Sequence, residues 1–376
     1  MEQSAARLVR YLDHWRIDWS MICQGTDPDP PARFIFMRSL GGGPMARVVF
    51  GCRASWRAVR MKPDVIHVHG AEYGWAIGLV LALGRLSSGT RGDRRDRKPR
   101  HVFVTCHGSL RAALQARRPR LSRKSAFVIW IACRVVALFE SRVLRLATSI
   151  ACVSARVQED VHALYKVPLT KTCVIPNAVT NLPVAHREAS RRQGLLLWVG
   201  RDTLDKDLDA ALAVFRRIRA AWPSAELLVV GPDARAPAEG VTFTGAQREN
   251  QLGSLYCEAS ILISTSLYEA DPLCVKEAMT HGTPVIVTEA ASAAVEDGVN
   301  GVICRLGLDT NAGRDEFTQK IIDVMSSDKL RRRLAAGALK SSNDFTIQKE
   351  EMAYRMMYSR AVRAGLECVR VLSDGI

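Results

Sequence analysis

The chain has 376 residues, 48% of them hydrophobic, and a formal net charge of +15, a length that gives two domains each its own buried core. No apolar run reaches the roughly 18 to 20 residues a membrane-spanning helix needs, and the amphipathic start MEQSAARLVRYLDHW is not a signal peptide. A cytosolic chain is therefore expected, touching a membrane only from outside. The ten cysteines are scattered singly without metal-ligand or redox spacing, which excludes a disulfide framework and leaves thiols that pack as small hydrophobes.

In chain order, the first pattern is the helix SAARLVRYLDHW. TDPDPP (26–31) follows. It contains the Asp-x-Asp with which manganese-dependent transferases of another fold hold a nucleotide, but it lies in a proline-rich stretch with only a weak strand before it, so the metal reading is the weaker one. Short apolar runs then alternate with longer helical patterns, as βαβ units of a mainly parallel sheet do. The strands are DVIHVHG (64–70), HVFVTCHG (101–108), SIACVS (149–154) and TCVIPNAV (172–179), with helical patterns at 72–85 and 124–146. His67 and His69 alternate on one strand and so share a face; metal ligation is possible chemistry for them, packing in a core or cleft the better reading.

The excess positive charge is local. Residues 85–124 carry thirteen Lys or Arg against Asp93 and Asp96. There is no zinc-finger spacing and no interleaving of aromatics, which argues against nucleic acid. Arg117, Arg118, Arg120, Arg123 and Lys124 run into the apolar helix SAFVIWIACRVV, a combination that fits a membrane-surface patch. A solvated loop without a partner is the alternative.

NLPVAHREASRRQG (181–194) is polar, lacks periodicity and reads as a linker. A second series follows it: strands GLLLWVG (194–200), AELLVVG (225–231), VTFTG (241–245), ILIST (261–265), PVIVT (284–288) and GVICRL (301–306), alternating with ALAVFRRIRAAW, ENQLGSLYCEA, PLCVKEAM and EFTQKIIDVMSS. The fold class is α/β, with two doubly wound, Rossmann-like domains over 1–180 and 195–344 and a last segment, 345–376, read as a helix.

Ligands of such sheets bind beyond the carboxyl ends of the strands. Arg201 follows the first strand of the second series and Lys206 comes five residues later, so two cations sit at a strand-to-helix turn and can hold a diphosphate; plain surface charge is the alternative. After ILIST comes SLYEADPLCVKEAM, where Glu269 and Glu277 flank a helix start. The amides of Asp271, Pro272 and Leu273 lie there, and a helix N-terminus attracts phosphate. Asp271 suits an N-cap and Pro272 the first helical position, while carboxylates accept hydrogen bonds from sugar hydroxyls. Together these describe a nucleotide-sugar site. Gly282, Gly298 and Gly301 supply tight turns nearby.

GRDTLDK, VVGPD, VTFTG, SLYEADPLCVKEAMTHGTPVIVT and VEDGVNGVI resemble the nucleotide-sugar domain of glycosyltransferase family 4, the retaining group 1 glycosyltransferases of GT-B fold. KPDVIHVHG, VFVTCHGS, ACVSARVQEDV and VIPNAVT are similar to that family's acceptor domain. The resemblance runs to NDFTIQKEEMAYRMMYSRA, a helix that in the family crosses back to the first domain. It implies that Arg201 and Lys206 bind the donor diphosphate, that Glu277 bonds the ribose, that Glu269 faces the donor sugar and that His107 reaches the sugar from the opposite domain. It also implies no metal and no cofactor, with a nucleoside-diphosphate sugar as donor, a sugar or lipid-linked acceptor, and transfer in bacterial polysaccharide or glycolipid assembly at the inner face of the membrane.

The sequence departs from the family pattern in three places. The first strand and Gly-Gly turn normally ahead of a G-G-x-E start are missing from this sequence, with Met1-Glu2 resembling the tail of that turn; either a strand and Gly-Gly lie upstream of this start or the chain lacks them, and a loss would expose a neighbouring strand edge and remove a glycine loop that faces the acceptor. Ala270-Asp271-Pro272 replaces the usual Gly-Phe-Gly or Gly-Phe-Pro, and an Asp cap there would occupy the amides a phosphate uses. The loop EAASAA (289–294) is short. These departures keep two other readings open: a degenerate, non-catalytic GT-B partner protein and a nucleotide-sugar epimerase of the same fold.

Overall fold

A computed structural model describes residues 2–24, 34–37, 44–61, 63–70, 101–117, 123–180, 191–233, 238–362 and 368–372. TDPDPP and the helical pattern at 72–85 lie outside the described residues. The chain divides into two compact units, one of Met1–Gln115, Ser122–Asn177 and Glu350–Ile376, the other of Ala116–Leu121 and Ala178–Lys349.

The second unit is a parallel six-stranded sheet. Its strands are β7 (Arg192–Val199), β8 (Glu226–Val230), β9 (Val241–Phe243), β10 (Ala259–Ser264), β11 (Val285–Thr288) and β12 (Val302–Cys304), in the order β12-β11-β10-β7-β8-β9. The first strand of the unit therefore lies centrally, as in a doubly wound fold. Successive residues of β7 point to opposite faces. Leu196 and Trp198 meet Val214, Phe215 and Ile218 of α6 (Leu208–Ala221) and Phe317 and Ile321 of α9 (Asn311–Ser326). Leu197 goes to the other face, with Tyr256 of α7 (Glu249–Glu258) and Val275 and Met279 of α8 (Leu273–Thr280). Burial on both faces is why these strands read as continuous apolar runs rather than alternating ones.

The turn after β8 depends on glycine. Gly231 has φ +116°, and a Cβ there would lie 2.0 Å from the Gly200 carbonyl oxygen. No side chain fits, and this close approach draws the ends of β7 and β8 together.

The first unit holds a seven-stranded sheet of β1 (Asp18–Gln24), β2 (Phe34–Met37), β3 (Val65–His69), β4 (His101–Cys106), β5 (Ser149–Cys152), β6 (Thr172–Val174) and β13 (Cys368–Leu372), in the order β2-β1-β13-β3-β4-β5-β6. Two sequence expectations change here. The segment after 345 is not helical throughout, because it ends in β13; and β13 pairs with both β1 and β3, so the edge expected to be exposed is covered.

Helices α1 (Glu2–His14), α2 (Pro44–Arg60), α3 (Leu110–Arg117), α4 (Arg123–Leu146) and α5 (Ala155–Tyr165) accompany this sheet, and α10 (Asp328–Ser342) closes the second unit. Helix α11 (Ile347–Val362) belongs to the first unit from Glu350 on. Arg7 donates to Glu350 through Nε at 2.6 Å and Nη2 at 2.9 Å, and the Tyr11 hydroxyl donates to the same carboxylate at 2.6 Å. Arg7 and Glu350 are both nearly inaccessible to water. Such a bidentate, fully satisfied pair fixes helix geometry more than it adds net stability.

Candidate functional site

The carboxyl ends of β7 and β10 bring the expected residues of the second unit together. Lys206 lies on the turn after β7, its stem against Gly200, where a Cβ would sit 3.4 Å from Lys206 Cδ and Cγ. Its ammonium makes an ion pair with Glu269 Oε1, and Ser266 Oγ donates to the same oxygen at 2.9 Å. Burial opposes the charge on Lys206, while Cys274 and Glu269 favour it, and the net shift is upward. Burial pushes the Cys274 thiol up to about 11. Arg201 is exposed on the same turn, close enough to push back on the Lys206 charge.

The turn itself is built from the next strand. The Thr265 hydroxyl lies 3.0 and 2.9 Å from the carbonyls of Lys206 and Asp207 and 3.2 Å from Trp198 Nε1, while the Leu267 amide donates to the Asp205 carbonyl at 2.7 Å. Asp207 takes a left-handed conformation, φ 48°, and its carboxylate caps α6 by accepting from the Ala210 amide at 3.2 Å. These contacts set the position of Lys206 through backbone rather than through a long flexible side chain.

Glu277 projects from α8. The Tyr256 hydroxyl donates to its Oε2 at 2.7 Å, and burial, with Glu249 adding repulsion, raises its pKa while Tyr256 and Lys206 work the other way. The Tyr256 hydroxyl holds Oε2 and so orients the carboxylate, an acceptor whose two oxygens suit a diol.

Asp271 does not cap α8. Pro272 holds the N-cap position with no side-chain cap, and Leu273 is the first helical residue. The Asp271 carboxylate instead meets Lys276 Nζ at 2.5 and 2.6 Å, both side chains 2% exposed, and Nζ also lies 5.0 Å from the centre of the Phe345 ring. The physical reason is that a lysine pointing into the core needs its counter-charge inside, and Asp271, five residues earlier, supplies it. The N-cap position expected for Asp271 is thus held by Pro272.

In the first unit, His107 follows β4. His69 Nδ1 lies 3.2 Å from His107 Nε2, and His69 stacks on His67 with ring centres 4.9 Å apart. His67 bonds the Tyr358 hydroxyl through Nδ1 at 2.6 Å and Thr105 Oγ1 through Nε2 at 2.8 Å; Thr105 in turn meets the Tyr354 hydroxyl at 3.0 Å. Burial lowers the pKa of all three histidines, that of His69 to about 3, with Arg7 adding repulsion at His69 and His107. They are neutral imidazoles at pH 7, each able to give one hydrogen bond and take one. Among the described residues, no group of three or more His, Cys, Asp or Glu is placed to hold a metal ion.

The basic patch is only partly described. Arg118 and Arg120 lie outside the described residues; Arg117 ends α3, and Arg123 and Lys124 begin α4. Further along α4, Phe127, Val128, Ile131, Val135 and Leu138 are exposed by 45–63% along one stripe, with Trp130 beside it and the Arg134 guanidinium 5.3 Å from its ring. No described helix is long and apolar enough to cross a membrane.

Sequence reading missed Tyr256, Ser266, Thr265 and Lys276. The first and the last lie in the helical patterns ENQLGSLYCEA and PLCVKEAM, which the sequence reading used only as helices. Only the spacing from Asp271 to Lys276 hinted at a pair, and that spacing is not one a helix brings together.

A family model described as Glycosyltransferase Family 4 matches residues 1–180, and one described as Glycosyl transferases group 1 matches residues 193–327. The chain is 26% identical over 329 residues to glycogen synthase of Mycobacterium tuberculosis, covering 83% of this chain and 71% of that one. It is 24% identical over 241 residues to the MMP alpha-(1->4)-mannosyltransferase of Mycolicibacterium hassiacum, covering 61% and 58%. Among solved structures, sucrose-phosphate synthase from Thermosynechococcus elongatus superposes with a TM-score of 0.70 at 18% identity over 94% of this chain and 92% of that one. Anabaena HepE in complex with UDP and glucose does so with 0.62 at 14% over 91% and 99%.

Proposed function

The chain belongs to glycosyltransferase family 4, the group 1 glycosyltransferases of GT-B fold, and from that premise we propose that it moves a sugar from a nucleoside-diphosphate donor to a saccharide or lipid-linked acceptor with retention and without a metal. The observation that carries this reading is the set of groups at the ends of β7 and β10: Lys206 with Glu269, Arg201 on the same turn, and Glu277 on α8.

A bound diphosphate takes the Lys206 ammonium in exchange for Glu269, and Arg201 supplies a second cation. The uncapped start of α8 adds amides and a dipole. As the bond from the sugar to the diphosphate breaks, negative charge grows on the leaving oxygen, and these groups stabilise it from fixed positions. Glu269, once exchanged, accepts from sugar hydroxyls, and Glu277, oriented by Tyr256, accepts from the ribose. His107, held neutral and tied to His69, serves as a hydrogen-bond donor toward the sugar.

The test is a screen of UDP-, GDP- and ADP-sugars with mass-spectrometric detection of released nucleotide and of the product. Release that depends on an added acceptor is expected. Product formed with no acceptor would instead favour an epimerase, and a failure to bind any donor in calorimetry would favour a non-catalytic partner.

The same proposal places the protein at an anionic membrane surface through α4 and the bases ahead of it. Its support is an exposed apolar stripe beside basic residues on one helix, the pattern of an interfacial helix. The full chain is expected to sediment with phosphatidylglycerol vesicles. Neutralising Arg117, Arg118, Arg120, Arg123 and Lys124, or changing Phe127 and Trp130 to Ser, should each release it to the supernatant; binding to neutral vesicles just as strong would remove the electrostatic part of the reading.

A further inference from the structure

Strand periodicity gathers four side chains of the first unit. His67 and His69 stand on β3, Thr105 on β4 and His107 one residue beyond its end, and residues two apart on a strand point to one face. The two strands are parallel neighbours, with His67 opposite Phe103 and His69 opposite Thr105. The three imidazoles therefore fall into a row: His67 is stacked on His69, and the His69 and His107 ring centres lie 5.5 Å apart. Tyr354 and Tyr358 of α11 pack against the His67 end of that row.

The row divides by its hydrogen bonds. His67 has both ring nitrogens engaged, by the Tyr358 hydroxyl and by Thr105 Oγ1, and so is a closed structural group. His69 has only one engaged. Its Nδ1 lies 3.2 Å from His107 Nε2, while its Nε2 is buried and meets no hydrogen-bond partner among the described residues. His69 is wholly buried, whereas His107 is partly exposed.

A neutral imidazole carries its proton on one nitrogen, so the bond between His69 and His107 can run in either of two directions. If His107 Nε2 donates, His69 must keep its own proton on Nε2, which leaves a buried N–H with no acceptor. If His69 Nδ1 donates, the same Nε2 is a bare lone pair. Buried N–H groups without an acceptor are rarer in native proteins than acceptors short of a donor, which selects the second direction.

We propose that His69 is a positioning residue for His107: it donates from Nδ1 to His107 Nε2 and so holds that ring with its own proton on Nδ1. This role rests on the reading of His107 as a group facing the donor sugar, and it narrows what His107 does there. With Nε2 engaged and Nδ1 carrying hydrogen, the ring gives a hydrogen bond to a sugar oxygen and has no free lone pair to take a proton from an acceptor hydroxyl. Its part is orientation of the sugar, not general-base catalysis.

Two-bond ¹H–¹⁵N spectra of the full chain labelled with ¹⁵N-histidine report which nitrogen of each ring is protonated, and His107→Gln identifies the His107 signals. Native His107 is expected in the Nδ1–H form. His69→Leu should turn it to Nε2–H or to a mixture and lower kcat by about 10²-fold, as loss of orientation does, with the donor KM within about twofold of native. His69→Asn, whose amide reaches the place of Nδ1, should return the Nδ1–H form and most of the rate; a purely structural His69 would lower the melting temperature and leave the tautomer alone. Native His107 in the Nε2–H form would overturn the proposal without any change at His69. So would a His69→Leu chain that keeps the Nδ1–H form and turns over within about threefold of native. Unchanged turnover in His107→Gln would overturn it by removing the sugar role beneath it, a failure told apart from the other two because the spectra of the native chain still read as expected.

Discussion

Lys206→Ala lowers nucleotide release from the donor by about 10²–10³-fold, the range seen when one fixed group facing developing transition-state charge is removed. The effect is large because Lys206 is held in place. Its turn is fixed by Thr265 and by the Leu267–Asp205 bond, and its stem packs on Gly200. A solvent molecule in the vacated space would have to reorient as the leaving group forms, and the native ammonium does not. The variant also leaves Glu269 without its ion pair, so the comparison should include Lys206→Ala with Glu269→Gln. If release in both falls by the stated factor while circular dichroism and the melting profile stay native, the loss belongs to leaving-group stabilisation. Turnover within about threefold of the native chain would refute the role. Lys206→Arg should retain part of the rate, since the charge is kept but its position shifts.

Acid destabilises the first unit selectively. His67, His69 and His107 have native pKa values held down by burial, whereas in the unfolded chain each titrates near its ordinary value of about 6.5. Below that value the unfolded chain binds more protons than the native one, so the stability these groups contribute is fully present above pH 6.5 and is lost as the pH falls through it. Each group contributes about 1.4 kcal/mol per pH unit, and three together remove roughly 4 kcal/mol between pH 7 and 5.5. At about 2–4 °C per kcal/mol for a domain of this size, the melting temperature of the first unit should drop by about 10 °C. Glu277 acts in the opposite direction in the second unit, because its native pKa is raised and protonation there favours the native state. Calorimetry at a series of pH values therefore separates the two units. His67→Gln should reduce the acid slope of the first by about a third, and an unchanged slope would show that the histidines are not the groups taking up protons.

The strands that bury both faces are legible in the sequence. Runs such as LLLWV and ILIS can hardly be anything but core, and their placement carries Lys206, Glu269 and Glu277 to one rim without further information. β1 and β2 were harder, because DWSMICQ mixes polar and apolar residues and lies beside a proline-rich stretch. β13 was harder still. CVRVL has the composition of a strand, but its partners Asp18–Ile22 and Val65–Val68 lie far away in sequence, and nothing local announces a parallel pairing of that range. Asp271 was misread for a related reason. An acidic residue before Pro and an apolar run satisfies every local rule for a cap, yet the buried Lys276 ammonium settles where its carboxylate goes. Local rules place elements and caps; they do not say which charge the core will need.

The position of β13 also sets a timetable. Arg7 and Glu350, joined in the finished first unit, are 343 residues apart, and the strand that fills the centre of that unit's sheet is made later still. At a synthesis rate of about 5–20 residues per second, α1 waits roughly 20–70 s for its partner. The second unit, whose strands are contiguous from Arg192 to Cys304, is complete before then. Domains ordinarily mature in the order in which they leave the ribosome; here the unit that holds α1 is closed last, by residues made after the whole sheet of the second unit.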